Sequence, residues 1–141
     1  MFLNDFLKLN DCGIPDMDSE VWPLVKLLNW EGILTLASCR GDYVISGETH
    51  TFPWVLFRPS PSDYMTKRID QLREILPQFL RNDVQWSVLQ ANLEAGISHY
   101  NRIQPITKAP IEVLQGTIPY LVDYIFYNMS QPDSEKSFVI R

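Results

Sequence analysis

Residues 21–42 change from a helical to a strand-like hydrophobic pattern across one glycine, and this change constrains the fold more than any other feature. The first part places apolar side chains at the spacing of a helix with one buried face, at Val21, Leu24, Val25 and Leu28. Gly32 suits the left-handed backbone conformation that commonly follows a helix. Residues 33–37 form a short apolar run, typical of a strand covered on both faces. We therefore expect a helix, a turn and a core strand.

The start of this helix carries its own signals. Asp18 or Ser19 can accept hydrogen bonds from the free N–H groups of the first turn, so the helix is expected to begin beside them. Pro23 falls within that turn, where its missing N–H costs little.

Two further short strands are expected before the next helix. Residues 52–57 form an apolar run, and Pro53 should confine its start to an edge or a bulge. Residues 43–45 predict another short strand, followed by a turn at Gly47-Glu48. A proline- and serine-rich connector at 59–63 then supplies a cap for the following helix.

The second half of the chain predicts a helix, a hairpin and a last helix. Residues 64–81 have a helical pattern that Pro77 should kink or shorten. Residues 84–91 and 97–106 form two strand-like runs, which the glycine-containing loop 92–96 joins as a hairpin. Residues 111–128 predict a helix that Gly116 and Pro119 split.

These elements predict one α+β domain spanning residues 1–141, in the order helix, strands, helix, strands, helix. We expect about three helices on a mixed or antiparallel sheet of four to five strands. Residues 1–15 are interpreted as an N-terminal arm, and residues 131–141 as a polar tail.

Composition and charge exclude several classes of protein. The formal charge is −5, and residues 1–50 hold eight acidic against three basic side chains. Such an acidic half repels phosphate backbones, which disfavours nucleic-acid binding. The apolar runs are too short to cross a bilayer, and acids interrupt any N-terminal signal region. With two cysteines and no signal peptide, the pattern favours reduced thiols in a cytoplasmic protein.

The loop at Ser38–Asp42 is the strongest candidate site. Ser38 offers a hydroxyl, Arg40 a planar donor for a carboxylate or phosphate, and Asp42 an acceptor. Gly41 permits close backbone approach to a ligand. If the flanking strands pair, His50 returns close to Cys39. The predicted ligand-binding residues are Ser38, Cys39, Arg40, Gly41, Asp42 and His50.

Alternatives remain open for the same loop. Ser38 and Asp42 also fit an ordinary tight turn, with Cys39 packed as a small hydrophobe. A nucleophilic Cys39 would need a base, which His50 or His99 could provide, but no fixed spacing supports it. Zinc ligands lack paired spacing, so no metal site is predicted. Sequence motifs of phosphate-binding loops, dinucleotide folds, zinc proteases and serine hydrolases are absent.

Part of the chain around this loop also resembles a known protein family. Leu27-Leu28-Asn29, Thr35, the run Ser38–Gly41 and Trp54 together resemble the signature of the tRNA wybutosine-synthesising methyltransferase family, over about residues 27–57. That resemblance implies S-adenosylmethionine and methylation of a modified guanosine in tRNA. Only Ser38, Cys39 and Gly41 carry over, because Arg40 replaces a serine and Asp42 an arginine. Small phage and bacterial proteins show a similar Ser-Cys-x-Gly loop.

Three functional hypotheses follow. The first is a cytoplasmic domain that binds a small polar or anionic ligand, of a nucleotide-like kind, at the Ser38–Asp42 loop, with the 92–96 loop nearby. The second is a methyltransferase-like enzyme using S-adenosylmethionine, or a thiol enzyme. The third is a protein-interaction or inhibitor module whose contact face is the acidic N-terminal half. The sequence fixes neither the ligand nor the oligomeric state.

Overall fold

The structure is a computed structural model that describes residues 19–41, 43–45, 48–92 and 99–129, with the backbone alone described at 43–45, 48–50, 91–92 and 99. Within this part of the chain there are four α-helices, one 3₁₀ turn and six strands. In chain order they are α1 (Trp22–Trp30), β1 (Thr35–Cys39), β2 (Tyr43–Ile45), β3 (Glu48–His50), β4 (Trp54–Phe57), α2 (Asp63–Ile75), the 3₁₀ turn Leu76–Gln78, β5 (Trp86–Asn92), β6 (His99–Pro105), α3 (Ile111–Gly116) and α4 (Ile118–Met129).

Four of these strands form one antiparallel sheet in the order β1-β4-β6-β5. Strands β2 and β3 pair separately as a small hairpin between β1 and β4. Antiparallel pairing follows from the short connections within each strand pair. The predicted α+β class and the order of its elements are confirmed.

The helices cover one face of the sheet. Helices α1 and α2 both pack against α4, and α2 also packs against β5. Val55, Ile103 and Val88 point from neighbouring strands into the core beneath these helices, together with the fully buried Phe57 and Trp86. The opposite face has its own small cluster of Cys39, Trp54 and Leu56. None of the described helices is long and apolar enough to cross a membrane.

The prediction that the first strand is covered on both faces was wrong. β1 begins at Thr35 rather than at Ile33, and it forms an edge of the sheet. Leu34 and Leu36 are 40% and 47% exposed, and the register with β4 shifts between Thr35 and Ala37. An apolar run does not distinguish an edge strand from a central one, because that depends on which strands pair with it.

The first helix begins later than predicted. Its first residue is Trp22, and the preceding Val21 makes no side-chain capping hydrogen bond. Ser19 instead hydrogen-bonds Glu20, while Asp18 lies outside the described residues. The other signals are confirmed, since Pro23 falls in the first turn and Gly32 has a φ of 87°.

The later boundary signals are confirmed. The Ser62 hydroxyl accepts a hydrogen bond of 3.2 Å from the Met65 N–H and so caps α2. Pro77 ends the α-helix and leaves one 3₁₀ turn. The last helical segment divides into α3 and α4 around Thr117, next to Gly116. β5 and β6 pair as the predicted hairpin, although residues 93–98 of its loop lie outside the described part. The same holds for the arm and tail at 1–15 and 131–141.

Tyr124 links α4 to the end of α2 and makes the fold sensitive to alkaline pH. Its phenol donates a hydrogen bond of 2.6 Å to the Ile75 carbonyl oxygen, and burial raises the pKa of that phenol. A raised pKa means that the folded state holds the proton more tightly than the unfolded state. The resulting stabilisation is present below the ordinary phenol pKa of about 10 and is lost as the pH rises past it.

We expect Tyr124→Phe to cost about 1 kcal/mol of unfolding free energy at neutral pH. The variant should also lose less stability than the parent protein when the pH rises from about 7 to about 10.5. Urea denaturation at both pH values measures this, with Tyr64→Phe as the control because Tyr64 is 62% exposed. Equal losses in the parent and the Tyr124 variant would contradict the expectation.

Candidate functional site

The loop that follows β1 is packed into the fold rather than held open. Cys39 lies opposite Trp54 in the pairing of β1 with β4. Its side chain is fully buried and packs with Trp54 and Leu56 on the sheet face away from the helices. Its Sγ accepts a hydrogen bond of 3.3 Å from the Gly41 N–H. A substrate or ligand in solution does not reach this thiol. The geometry thus fits the packed-turn interpretation of Cys39, whose buried thiol is not an accessible nucleophile.

Arg40 is partly exposed, but its guanidinium and its carbonyl oxygen both contact other residues of the protein. Its Nη1 lies 3.8 Å from a carboxylate oxygen of Glu20, and 41% of its side chain is exposed. Its carbonyl oxygen accepts a hydrogen bond of 2.9 Å from Gln115 Nε2, which ties the loop to α3. Any anion that bound the guanidinium would compete with the Glu20 carboxylate.

Gly41 closes the loop against the start of β4. Its φ is 92°, a conformation that favours glycine. A Cβ atom at this position would lie 2.9 Å from the Phe52 carbonyl carbon and 3.1 Å from the Pro53 nitrogen, and it would also meet Ile111. The backbone of the loop therefore touches both the segment before β4 and the first residue of α3.

The remaining predicted site residues are only partly placed. Ser38 is half-buried in β1. The backbone of His50 pairs with that of Tyr43 at the base of the β2–β3 hairpin. Its expected proximity to Cys39 stays a prediction. The imidazole of His50 and the whole of Asp42 lie outside the described part of the structure. Four further acidic residues of the N-terminal half, Asp5, Asp11, Asp16 and Asp18, lie outside it too.

A cavity of about 630 Å³ is lined by Phe52, the residue whose backbone Gly41 approaches. Its volume falls within the roughly 300–1,000 Å³ typical of small-molecule sites. None of residues 38–41 lines it. The apolar part of its wall is formed by Phe52, Leu89, Pro105, Ile106, Ala109 and Leu114. The polar part is formed by Thr51, Gln104, Thr107 and Lys108.

The segment between β6 and α3 supplies four of the ten described lining residues, and hydrogen bonds hold it to Gln85, just before β5. The Ile106 N–H donates to the Gln85 carbonyl oxygen at 2.8 Å. The Gln85 N–H in turn donates to Thr107 Oγ1 at 3.0 Å, which leaves the hydroxyl proton of Thr107 available to another acceptor. A wall fixed in this way is largely formed before any ligand arrives.

Two of the apolar side chains that line the cavity are exposed. Ile106 is 50% exposed and Leu89 is 39% exposed, and both line the cavity. Leu114, by contrast, is buried and forms part of the wall beside the core. The cavity therefore offers an apolar surface that water now contacts and that a ligand could cover.

Its polar groups are mainly hydrogen-bond donors. Gln104 is only 9% exposed, and its Oε1 accepts a hydrogen bond of 2.7 Å from Arg102 Nε. Lys108 is exposed and carries the one formal charge among the described residues that line the cavity, none of which is acidic. The sign of this local charge is opposite to the net charge of −5. Anions are thus favoured at the cavity although the chain as a whole repels them.

The cavity residues gave no motif in the sequence. Gln104 fell inside a predicted strand, and Thr107 and Lys108 fell in the connector that follows it. Arg102 could only be interpreted as a solvated or paired arginine. A sequence pattern does not show that Thr51 and Phe52 return to the same wall, because this depends on the pairing of β4 with β6.

Comparison of the chain with profiles of protein families, with curated proteins and with solved structures found no match. The resemblance of residues 27–57 to the wybutosine-synthesising methyltransferase family therefore stays a prediction.

Proposed function

We propose that this protein binds a small anionic ligand in the cavity beside the Ser38–Gly41 loop. The proposal keeps the predicted ligand chemistry and moves the contact from the loop itself to the adjoining wall. The loop and the cavity share Phe52 and α3. Gly41 of the loop lies against Phe52 and Ile111 of α3, while Phe52 and Leu114 of α3 line the cavity. The loop then supports the site instead of touching the ligand.

One observation carries this proposal: a cavity of about 630 Å³ whose polar lining, within the part of the chain that the structure describes, consists of an amide, two hydroxyls and a lysine, with no carboxylate. Donors that line an apolar cavity favour a ligand that brings acceptors and an apolar body. Phe52 adds an aromatic wall against which a planar group can pack. The supported ligand is therefore amphipathic and negatively charged.

Naphthalene-2-carboxylate is a suitable probe, because it combines a planar apolar body with one carboxylate. We expect it to bind, and Lys108→Met to weaken binding by roughly two- to five-fold, the range of an exposed ion pair. Isothermal titration calorimetry measures both. Lys67→Met is the matched control, because Lys67 is an exposed lysine of α2 that does not line the cavity.

A third variant separates the cavity from the loop. Arg40→Ala removes the cation of the loop, and we expect it to leave the affinity for naphthalene-2-carboxylate within about two-fold. If Arg40→Ala abolished binding while Lys108→Met had no effect, the ligand would sit at the loop. Absence of binding by the parent protein at millimolar probe would remove the proposed function.

A further inference from the structure

The orientation of Gln104 is fixed by its neighbour on β6. Arg102 and Gln104 lie two residues apart on one face of the strand, and Arg102 Nε donates to Gln104 Oε1 at 2.7 Å. A guanidinium has donors only, so the group that faces it must be the amide oxygen. The amide nitrogen of Gln104 is consequently turned away from Arg102.

Arg102 itself lies close to two aromatic rings. Its Cζ lies 5.7 Å from the ring centre of Phe52 and 5.7 Å from that of Trp54. Trp54 is buried beside Cys39, and Phe52 lines the cavity. Cation–π contacts with two rings limit the movement of the guanidinium. The donor that orients Gln104 is therefore well fixed.

The amide nitrogen of Gln104 has no hydrogen-bond partner among the described residues. Nevertheless the side chain is nine-tenths buried and lines the cavity. Every fully buried side-chain nitrogen or oxygen of the described residues has a hydrogen-bond partner. Because the Gln104 nitrogen has none among these residues, it is not fully buried and faces open space. An acceptor placed there by a ligand would gain a hydrogen bond largely shielded from water.

We infer that Arg102 is a positioning residue that holds Gln104 as a donor, so that the cavity selects ligands whose buried polar group is a carboxylate on a hydrocarbon body. This inference rests on the proposed function and adds the specificity of the site. A ligand with a buried ammonium group would meet N–H groups at Gln104 instead of an acceptor. The apolar wall accepts either an aromatic or an aliphatic body.

The test compares matched probes of opposite polarity. Naphthalene-2-carboxylate is compared with naphthalen-2-ylmethylammonium, and decanoate tests whether an aliphatic body also binds. We expect the parent protein to prefer the aromatic carboxylate by roughly ten-fold or more, as for a hydrogen bond to a charged group. Tighter binding of decanoate than of the naphthalene acid would show that the cavity prefers an aliphatic body, and weaker binding that it prefers an aromatic one.

In the Arg102→Met variant the Gln104 amide is free to turn. The ratio of the variant's affinities for the carboxylate and the ammonium probe should therefore fall roughly five-fold or more. Arg102→Lys keeps a donor and should retain most of the preference. The measurements are made at about 0.02 M and about 0.5 M salt, because an effect of lost charge alone is screened at high salt. An effect of amide orientation persists there.

Gln104→Glu provides an independent variant, since it replaces the donor by an acceptor and should abolish the preference for the carboxylate. It also decides the question if Arg102→Met does not fold. Failure of every probe to bind would remove the proposed function. Binding with equal affinity for both polarities, or a preference that neither Arg102→Met nor Gln104→Glu changes, would overturn this inference alone.

Discussion

Arg68→Met is expected to lower the free energy of unfolding by about 3–5 kcal/mol, the cost of breaking a buried ion pair from one side. The partner is Glu31, which is only 3% exposed and would keep its charge in the protein interior. Burial lowers the pKa of the Arg68 guanidinium, which nevertheless stays protonated at neutral pH. Urea denaturation measures the loss.

The expected loss is large because Arg68 joins three elements. Its Nη2 bonds the Glu31 carboxylate and also donates to the Met129 carbonyl oxygen at 3.1 Å, while its Nε donates to the Glu31 carbonyl oxygen at 2.9 Å. These bonds satisfy carbonyl groups at the ends of α1 and α4, which a helix leaves unpaired. A methionine fills the volume but donates nothing.

Arg73→Met is the matched control on the same helix. Arg73 pairs with Asp70 at the surface, where both side chains are well exposed, and such a pair contributes at most about 1 kcal/mol. The double variant Arg68→Met, Glu31→Leu should recover part of the loss, since no uncompensated charge remains. A loss for Arg68→Met no larger than that for Arg73→Met would contradict this account of the ion pair.

Gly41→Ala is expected to cost roughly 2–4 kcal/mol, from backbone strain together with steric overlap. At a φ of 92° an alanine is strained, and its Cβ would overlap the backbone of Phe52, which cannot turn away. Because Phe52 lines the cavity, the same change should weaken the binding of naphthalene-2-carboxylate. Thermal denaturation and calorimetry measure the two effects.

Two other glycines provide the comparison. Gly32 also has a positive φ, but the nearest group to an added Cβ is the ring of the exposed Tyr64, which can move, so Gly32→Ala should cost less. Gly116 in α3 has nothing within 4 Å of an added Cβ, and Gly116→Ala should be neutral or slightly stabilising. Equal losses at positions 32 and 41 would show that overlap with Phe52 adds nothing.

Boundary residues explain how much of the fold the sequence could predict. Gly32, Ser62 and Pro77 each act through their own backbone or side-chain chemistry, and each has its predicted local effect. The cap predicted at Asp18 or Ser19 was wrong because the helix begins only at Trp22, after Val21, whose apolar side chain accepts no hydrogen bond. The edge position of β1 was missed because strand order is a property of the whole sheet.

The loop and the cavity differ in how much of each the sequence shows. The sequence predicts a site at the loop because polar groups, among them Ser38 and Arg40, cluster there. Gln104 and Thr51 are distant in the chain, and only the sheet and the connector after β6 bring them to one cavity. The orientation of the Gln104 amide depends on a contact with Arg102 that strand alternation alone does not show.

A crystal structure of the protein with naphthalene-2-carboxylate tests the central claim most directly. We expect the probe in the cavity, with a carboxylate oxygen about 2.7–3.2 Å from Gln104 Nε2 and the ring system against Phe52. A probe bound beside Ser38–Gly41, or a cavity left without it at a saturating concentration, would contradict the account.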